Sequence, residues 1–200
     1  MPSICIIGMG NTGSAIAMGI VLKFFEKVNL IYLIDVDEKK CKGEKLDLQD
    51  ADIVLHDIQE TPLLVQSKGI EKADIYIITA GRNNFQNHRK ELLAHNKKII
   101  QDYCKKIAEQ NPNAWVLIVT NPSHELAVEA MKYLRYVIPC GTLLDTARLK
   151  RNMPFSYVTG VHGEGFIVNK DSINKNEQKH HEKEMQGYAQ RIIGLKGQTE

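Results

Sequence analysis

Short apolar runs alternate with longer amphipathic segments over the first 140 residues. The apolar runs are rich in β-branched residues, which is typical of buried strands. Five of them predict strands: SICIIG, LIYLID, DIYIITA, WVLIVT and RYVIPC. The segments between them predict helices: SAIAMGIVLKFFEKV, EKKCKGEKLDLQDA, HRKELLAHNKKIIQDYCKKIAEQ and SHELAVEAMKYL. This alternation predicts the α/β class, with a parallel sheet covered by helices on both faces.

The pattern changes after Arg151. The stretch MPFSYVTGVHGEGFIV is irregular or strand-like, and a strongly polar stretch follows it. An apolar helical stripe then comes from Met185, Tyr188, Ala189, Ile192 and Ile193. We therefore divide the chain into residues 1–140 and residues 141–200. The second part is expected to be the beginning of an α+β domain that is incomplete here.

Composition narrows the choice of function. The chain has 200 residues, of which 43% are hydrophobic and 25% charged, with a net charge of +2. These values are normal for a soluble globular protein. No basic run is interleaved with aromatic residues, which argues against a nucleic-acid partner. No apolar stretch is long enough to span a bilayer, and the N-terminus lacks a basic leader, so no membrane partner or signal peptide is expected.

Cysteine and histidine usage argues against a metal site. The four cysteines contain no close pair such as C-x-x-C. We predict that they are small buried thiols in a reducing cytoplasm. Lys179-His180-His181-Glu182 is the other polar cluster. Adjacent histidines point in different directions on a helix and chelate poorly together. We predict a solvated helix face there and no metal.

A glycine-rich turn follows the first predicted strand and opens the first helix. The six residues Gly8, Met9, Gly10, Asn11, Thr12 and Gly13 fit the pattern G-x-G-x-x-G. Gly8 allows a tight turn, Gly10 lets the backbone approach a pyrophosphate, and Gly13 lets helix and strand pack closely. Asp35 lies 22 residues after Gly13, where a carboxylate can accept hydrogen bonds from a ribose 2′-hydroxyl and repel a 2′-phosphate. A Rossmann-type doubly wound sheet that binds NAD rather than NADP is predicted.

The second half of the chain carries candidate catalytic residues. Asp145 and Arg148 are three apart on a predicted helix, and alone such a pair is usually a surface ion pair. His162 between glycines is alone often a loop residue. Together they fit a hydride-transfer site that oxidises a secondary alcohol, because a histidine can take the hydroxyl proton and an aspartate can orient that histidine. An arginine can hold a substrate carboxylate by two parallel hydrogen bonds, and a second cation can polarise the reacting carbonyl.

Six ordered motifs resemble the NAD-dependent L-lactate/L-malate dehydrogenases, including the L-2-hydroxyisocaproate type. They are GMGNTG with LIDVDE, ITAGR, HRKELLAHN, VTNP, GTLLDTARLKR and VHGEG. The resemblance implies a cytoplasmic oxidoreductase of carboxylic acid metabolism. Its small-molecule substrate would be a 2-hydroxy or 2-oxo acid. The resemblance also implies a homo-oligomer, either a dimer or a tetramer.

The resemblance implies a role for each matching residue. His162 would donate and accept the proton, Asp145 would orient it, and Arg148 would bind the substrate carboxylate. Arg89 would polarise the carbonyl from a loop that closes over the substrate, and Asn121 would hydrogen-bond near the nicotinamide and the substrate. The implied cofactor-binding residues are Gly8, Gly10, Asn11, Thr12, Gly13, Asp35, Thr79, Ala80, Gly81 and Asn121.

The substrate and the activity of this chain stay open at this stage. The loop RNNFQNHR looks about one residue shorter than the family's usual form. Arg82 or Asn84 therefore takes the specificity position: an arginine favours malate, whereas a neutral residue favours lactate or a larger 2-hydroxy acid. The second domain also looks shortened, and Val161 replaces the family's usual glutamate. A malate dehydrogenase and a non-catalytic NAD-binding fragment are the alternatives.

Overall fold

The computed structural model describes most of the first 170 residues. The described ranges are 1–56, 63–82, 89–151, 156–162 and 166–169, together with the single positions 176, 180, 183, 187, 191 and 195. Over these ranges the chain divides into two compact units, Met1–Pro139 and Cys140–Glu200. The boundary predicted from the sequence also lies near Cys140. The role predicted for each part stays a prediction.

The first unit is a parallel sheet with helices on both faces. Its strands are β1 (Ser3–Ile7), β2 (Leu30–Ile34), β3 (Leu63–Gln66), β4 (Ile75–Ile78), β5 (Trp115–Ile118) and β6 (Tyr136–Pro139). Its helices are α1 (Asn11–Phe24, followed by a 3₁₀ turn Phe25–Lys27), α2 (Glu38–His56), α3 (Arg89–Gln110) and α4 (Ser123–Ala130). The strands lie in the order β3-β2-β1-β4-β5-β6 and all pairs are parallel. This order confirms the predicted doubly wound Rossmann-type sheet.

Residues of one strand alternate between two apolar cores because successive side chains point to opposite faces. In β1, Cys5 and Ile7 belong to one core, and Ile4 and Ile6 to the other. Helices α3 and α4 close the first core, with Ile100, Cys104, Ile107, Leu126, Ala127 and Ala130. Helices α1 and α2 close the second, with Ala17, Ile20, Val21, Cys41 and Leu48. The near-continuous apolar strands of the sequence are thus explained by burial on both faces.

Strands β1 and β4 are parallel neighbours in the sheet, and the order in which strands are added reverses between them. Strands β2 and β3 are added on the side of β1, and β5 and β6 on the side of β4. Ile7 at the end of β1 lies opposite Ile78 at the end of β4. The glycine turn after β1 and the segment after β4 therefore leave the same edge of the sheet side by side. In open α/β sheets, ligands bind outside the carboxyl ends of the strands at such a reversal.

The second unit contains a helix and a hairpin within residues 140–169, and the described single positions between 176 and 195 are helical. The helix is α5 (Leu143–Leu149), and the hairpin consists of β7 (Tyr157–Gly160) and β8 (Phe166–Asn169). The two strands are antiparallel, with Val158 opposite Val168, and both valines are buried. The five residues of the predicted apolar stripe, Met185, Tyr188, Ala189, Ile192 and Ile193, lie outside the described residues.

One strand and several helix boundaries differ from the prediction. Strand β3 was not predicted, because its four residues, LLVQ, are too short a run to stand out as a strand. Helix α2 continues to His56, five residues past the predicted end at Ala51. Helix α4 ends at Ala130 rather than at Leu134. Within the ranges given above, no helix is long and apolar enough to cross a membrane.

Candidate active site

The glycine turn has a conformation that requires glycine at two of its positions. Gly8 has φ of +101°, and a Cβ there would lie 2.6 Å from the backbone nitrogen of Ala80. A Cβ on Gly13 would lie 1.8 Å from the carbonyl oxygen of Gly8, so no side chain fits where α1 passes the turn. Gly10 differs, because nothing lies within 4 Å of the place of its Cβ. This open space lets a ligand approach the backbone, as predicted for a pyrophosphate.

The first turn of α1 offers backbone donors to an anion. Gly10 is the N-cap in an extended conformation, and no side chain caps the helix. The first bond along the helix joins the Ser14 amide to the Gly10 carbonyl at 2.9 Å. The amides before Ser14, including those of Asn11 and Thr12, therefore have no partner within the helix, and the turn contains no acidic residue. This is a favourable site for a phosphate group.

The Asp35 carboxylate is fixed beside the glycine turn. Its Oδ2 accepts the Met9 amide at 2.6 Å, and its Oδ1 accepts the Asp37 amide at 2.9 Å. The side chain is half-buried at the end of β2. Each oxygen keeps a further lone pair, so the carboxylate can still accept a ribose hydroxyl. The open backbone at Gly10, the donors of α1 and this carboxylate together fit NAD.

The segment after β4 holds the glycine turn in place. The Thr79 hydroxyl donates to the Gly8 carbonyl at 2.6 Å, and the Ala80 amide donates to the Ile7 carbonyl at 2.9 Å. A Cβ on Gly81 would lie 2.4 Å from Cγ2 of Thr120, which is buried after β5. Residues 79–81 therefore pack against the turn and the end of β5. Their contact with the adenosine half of a cofactor stays a prediction.

Asp145 contacts two side chains of the second unit, one through each carboxylate oxygen. Its Oδ2 is 2.6 Å from Nδ1 of His162, and its Oδ1 accepts from Nη1 of Arg148 at 3.2 Å. The side chains of Asp145 and Arg148 are only 4% and 11% exposed. The pair is therefore not the surface ion pair that the i, i+3 spacing alone suggests. A carboxylate so deeply buried is stabilised by accepting hydrogen bonds from both partners.

The His162 ring is orientated by this contact. Because a carboxylate only accepts hydrogen bonds, the proton of a neutral ring belongs on Nδ1, and the lone pair is then on Nε2. The side chain is 32% exposed, so part of the ring is open to a ligand. Gly160, two residues earlier, has φ of +103° and turns the chain at the end of β7. This turn brings His162 back to α5.

The remaining predicted substrate residues are described only in part. Asn121 follows β5 and is exposed. Arg82 is exposed and donates its backbone amide to Oδ1 of Asn96 at 2.9 Å. Arg89 is the first residue of α3, but its side chain lies outside what the structure describes, as do residues 83–88 with Asn84. Val161 is half-buried beside His162.

Sequence reasoning missed Asn96, which joins two of the predicted segments. Asn96 is fully buried in α3, and its Nδ2 donates to the Asn121 carbonyl at 2.8 Å while Oδ1 accepts from Arg82. A signal was present in the sequence. Asn96 stands four residues from both Leu92 and Ile100, so it occupies a core-facing position of an apolar stripe. A polar residue at such a position needs internal partners.

The structure describes one residue of the predicted solvated cluster. His180 is at an exposed helical position, while Lys179, His181 and Glu182 lie outside the described residues. Among the side chains that are described, no three histidine, cysteine, aspartate or glutamate residues lie together as a metal site would require. Cys5, Cys41 and Cys104 are buried, Cys140 is half-buried, and none of the four forms a disulfide.

The fold and the glycine turn define a dinucleotide-binding α/β protein. Residues 3–137 match the family described as lactate/malate dehydrogenase, NAD binding domain, and the chain belongs to this family. The resemblance in the sequence and the assignment of NAD are thereby confirmed.

Individual relatives agree with this assignment. The chain is 32% identical over 180 residues to an L-lactate dehydrogenase of Fervidobacterium nodosum, covering 82% of this chain and 57% of that protein. Among solved structures it is similar to a lactate dehydrogenase from a Medee basin deep-sea metagenome library, with a TM-score of 0.83 and 26% identity, over 99% of this chain and 72% of that one. It is also similar to malate dehydrogenase from Archaeoglobus fulgidus in complex with NADH, with a TM-score of 0.84 and 25% identity, over 98% and 72%. The chain thus spans a little over half the length of the first curated relative.

Proposed function

We propose that this protein is an NAD-dependent oxidoreductase that interconverts an L-2-hydroxy acid and its 2-oxo acid. The observation that carries the proposal is the position of Asp145, which bonds His162 through one oxygen and Arg148 through the other. A proton-transfer group and a carboxylate-binding group are thus orientated by one buried side chain. Family membership and the names of the relatives support the same reaction class.

In this mechanism His162 moves the proton. Nδ1 bonds Asp145, so Nε2 takes the hydroxyl proton during oxidation and returns it during reduction. NAD, when bound, supplies the hydride acceptor. Arg148 donates from Nη1 to Asp145, and its other guanidinium donors are assigned to the substrate carboxylate. Arg89 is assigned to polarising the carbonyl oxygen, where negative charge develops.

The proposed cofactor and specificity residues follow the family's motifs. Gly8, Gly10, Gly13 and the amides of Asn11 and Thr12 are assigned to the pyrophosphate. Asp35 is assigned to the adenosine ribose, and Asn121 to the nicotinamide and substrate. The adenosine half would pass Thr79, Ala80 and Gly81. Either Arg82 or Asn84 would contact the substrate side chain.

A panel of 2-oxo acids tests the proposal. Folded full-length protein is mixed with NADH and with pyruvate, 2-ketoisocaproate or oxaloacetate, and NADH oxidation is followed, with His162→Asn as the matched control. We expect turnover of at least one acid, and its loss in the control. NADH binding without turnover of any acid would instead identify a non-catalytic NAD-binding protein. Preference for oxaloacetate would identify the malate type.

We further propose that the protein self-associates and works in the cytoplasm. Self-association is supported by four apolar side chains on α2 that are 49% to 81% exposed: Leu46, Ile53, Val54 and Leu55. A reducing compartment is supported by the four cysteines, none of which forms a disulfide. Sedimentation velocity of Val54→Glu tests the interface. Val54→Glu should sediment as a smaller species than Val128→Glu. The second variant is the control, because it adds the same charge at an exposed position of α4.

A further inference from the structure

A threonine next to the catalytic aspartate joins the two elements that carry the candidate catalytic residues. Thr146 follows Asp145 on α5, and its Oγ1 accepts the backbone amide of Val158 on β7 at 3.0 Å. Val158 lies four residues before His162. Helix α5 and the β7-β8 hairpin are therefore tied at two points by adjacent residues of one helix, by Thr146 at Val158 and by Asp145 at His162.

We propose that Thr146 is a positioning residue that sets the distance between His162 and Asp145. The proposal rests on the proposed function for its kinetic consequence only. Thr146 is assigned no contact with substrate or cofactor. It acts by holding β7, and hence the chain that leads to His162, against the helix that carries Asp145 and Arg148.

The small size of the hairpin explains why such a bond is needed. Strands β7 and β8 have four residues each, and an isolated two-stranded hairpin is only marginally stable in water. Val158 of β7 and Leu149 of α5 are both buried. Apolar burial is non-directional, so it does not by itself fix the register of β7 on α5. A hydrogen bond is directional, so the Thr146 hydroxyl selects which residue of β7 faces α5. A shift along the helix would carry His162 away from Asp145.

Catalytic geometry is sensitive to such a shift. The Nδ1 to Oδ2 distance is 2.6 Å, and a displacement of about 1 Å would break the bond that fixes the ring. Once the bond is broken, the neutral ring is free to carry its proton on either nitrogen, and Nε2 ceases to be a dedicated proton acceptor. Arg148 lies on α5 itself, so its position does not depend on Thr146.

The chain offers a matched control on the same hairpin. The Thr159 hydroxyl of β7 accepts from Nδ2 of Asn169 on β8 at 2.7 Å, so it stabilises the hairpin internally. Thr146→Val and Thr159→Val make the same chemical change. Only the first removes a bond between hairpin and helix. Thr146→Ser keeps the hydroxyl and serves as the conservative rescue, and Thr146→Ala replaces Thr146→Val if the latter does not fold.

The test uses the full chain and two readouts. The first is the ring ¹⁵N spectrum of His162, assigned with His162→Asn and recorded at a pH where the ring is neutral. The parent, Thr146→Ser and Thr159→Val should show the proton on Nδ1, whereas Thr146→Val should show a mixture of tautomers. The second is steady-state kinetics, in which Thr146→Val should lower kcat by about tenfold to a hundredfold, with the KM for the 2-oxo acid changed less than about twofold.

The spectrum does not require turnover, so it separates this proposal from the proposed function. An inactive parent chain with the tautomer change in Thr146→Val would contradict the function and support the positioning role. Unchanged ring spectra in Thr146→Val, or equal changes in Thr146→Val and Thr159→Val, would overturn the positioning role. Loss of the Nδ1 proton in Thr146→Ser, which retains the hydroxyl, would overturn it as well.

Discussion

Oδ2 of Asp145 lies 2.6 Å from Nδ1 of His162, while the other oxygen of the same carboxylate bonds Arg148. One buried side chain thus orients both the residue assigned to the proton and the residue assigned to the substrate. This arrangement explains the spacing in LLDTAR, because Asp145 and Arg148, three apart on α5, lie on neighbouring positions of one helix face.

Asp145→Asn should lower kcat strongly while lowering the stability of the fold only moderately. The amide has nearly the shape of the carboxylate but lacks its charge, and its NH₂ group can face Nδ1 and reverse the tautomer of His162. We expect kcat to fall by up to about 10⁴-fold, as in other histidines that lose such a partner, with a loss of about 1–3 kcal/mol in the free energy of unfolding. Steady-state kinetics and urea unfolding measure the two effects. A kcat equal to that of the parent would contradict the role of Asp145.

Arg148→Lys should raise the KM for the 2-oxo acid. Lysine keeps the positive charge but cannot bond Asp145 and a carboxylate with a planar fork. Loss of a charged hydrogen bond worth about 1.5–3 kcal/mol predicts a rise of about tenfold to a hundredfold in KM. Arg151→Lys is the control, since Arg151 is exposed just after α5. Equal KM values in the two variants would argue against the carboxylate role.

The sequence was sufficient for the strands of the sheet other than β3 and for the glycine turn, because both depend on local patterns. Near-continuous apolar runs identify parallel strands buried on two faces. The spacing G-x-G-x-x-G directly after a strand identifies the turn. The bond between Thr146 and Val158 could not be predicted, because it joins residues 12 apart through the packing of β7 on α5. The burial of Arg148 was equally hidden, since the i, i+3 spacing is the same in surface and buried pairs. Asn96 could have been identified from its core-facing position.

Gly160→Ala should disrupt the bond between His162 and Asp145. Gly160 has φ of +103°, which an L side chain rarely adopts, so alanine is strained there whatever the surrounding space. We expect a loss of about 1–3 kcal/mol in the free energy of unfolding and, with the turn altered, loss of the Nδ1-protonated state of His162. Gly43→Ala within α2 is the control. Nothing lies within 4 Å of its Cβ position, and alanine should stabilise the helix by up to about 1 kcal/mol.

Gly10→Ala and Gly13→Ala should separate cofactor binding from folding. A Cβ on Gly13 meets the Gly8 carbonyl oxygen at 1.8 Å, so this variant should lose stability whether or not NADH is present. A Cβ on Gly10 meets nothing within 4 Å, so this variant should unfold at the temperature of the parent. Its methyl group would occupy the space assigned to the pyrophosphate, and calorimetry should show weakened NADH binding. Unchanged binding by Gly10→Ala would refute that assignment.

The Glu129 carboxylate on α4, which bonds side chains of α3, should make the stability of the chain depend on pH. Lys132 donates to it at 2.8 Å, Gln101 on α3 donates at 2.8 Å, and Lys97 on α3 lies at 3.1 Å. The bonds from Lys132 and then Gln101, with a smaller effect of Lys97, lower the pKa of Glu129 from 4.5 to about 2, and burial opposes them. The folded chain therefore binds fewer protons than the unfolded chain between these values.

The sign of the effect follows from this lowered pKa. Stability from Glu129 is fully present above pH 4.5 and is lost progressively as the pH falls through about 2. Glu129→Gln should therefore be less stable than the parent at neutral pH, and the difference should shrink as the pH falls below 4.5. Urea unfolding at neutral pH and at several values below 4.5 measures this, with Glu109→Gln at the exposed end of α3 as the control for loss of one charge. A difference that stays constant down to pH 2 would show that the carboxylate charge of Glu129 does not stabilise the packing of α4 on α3.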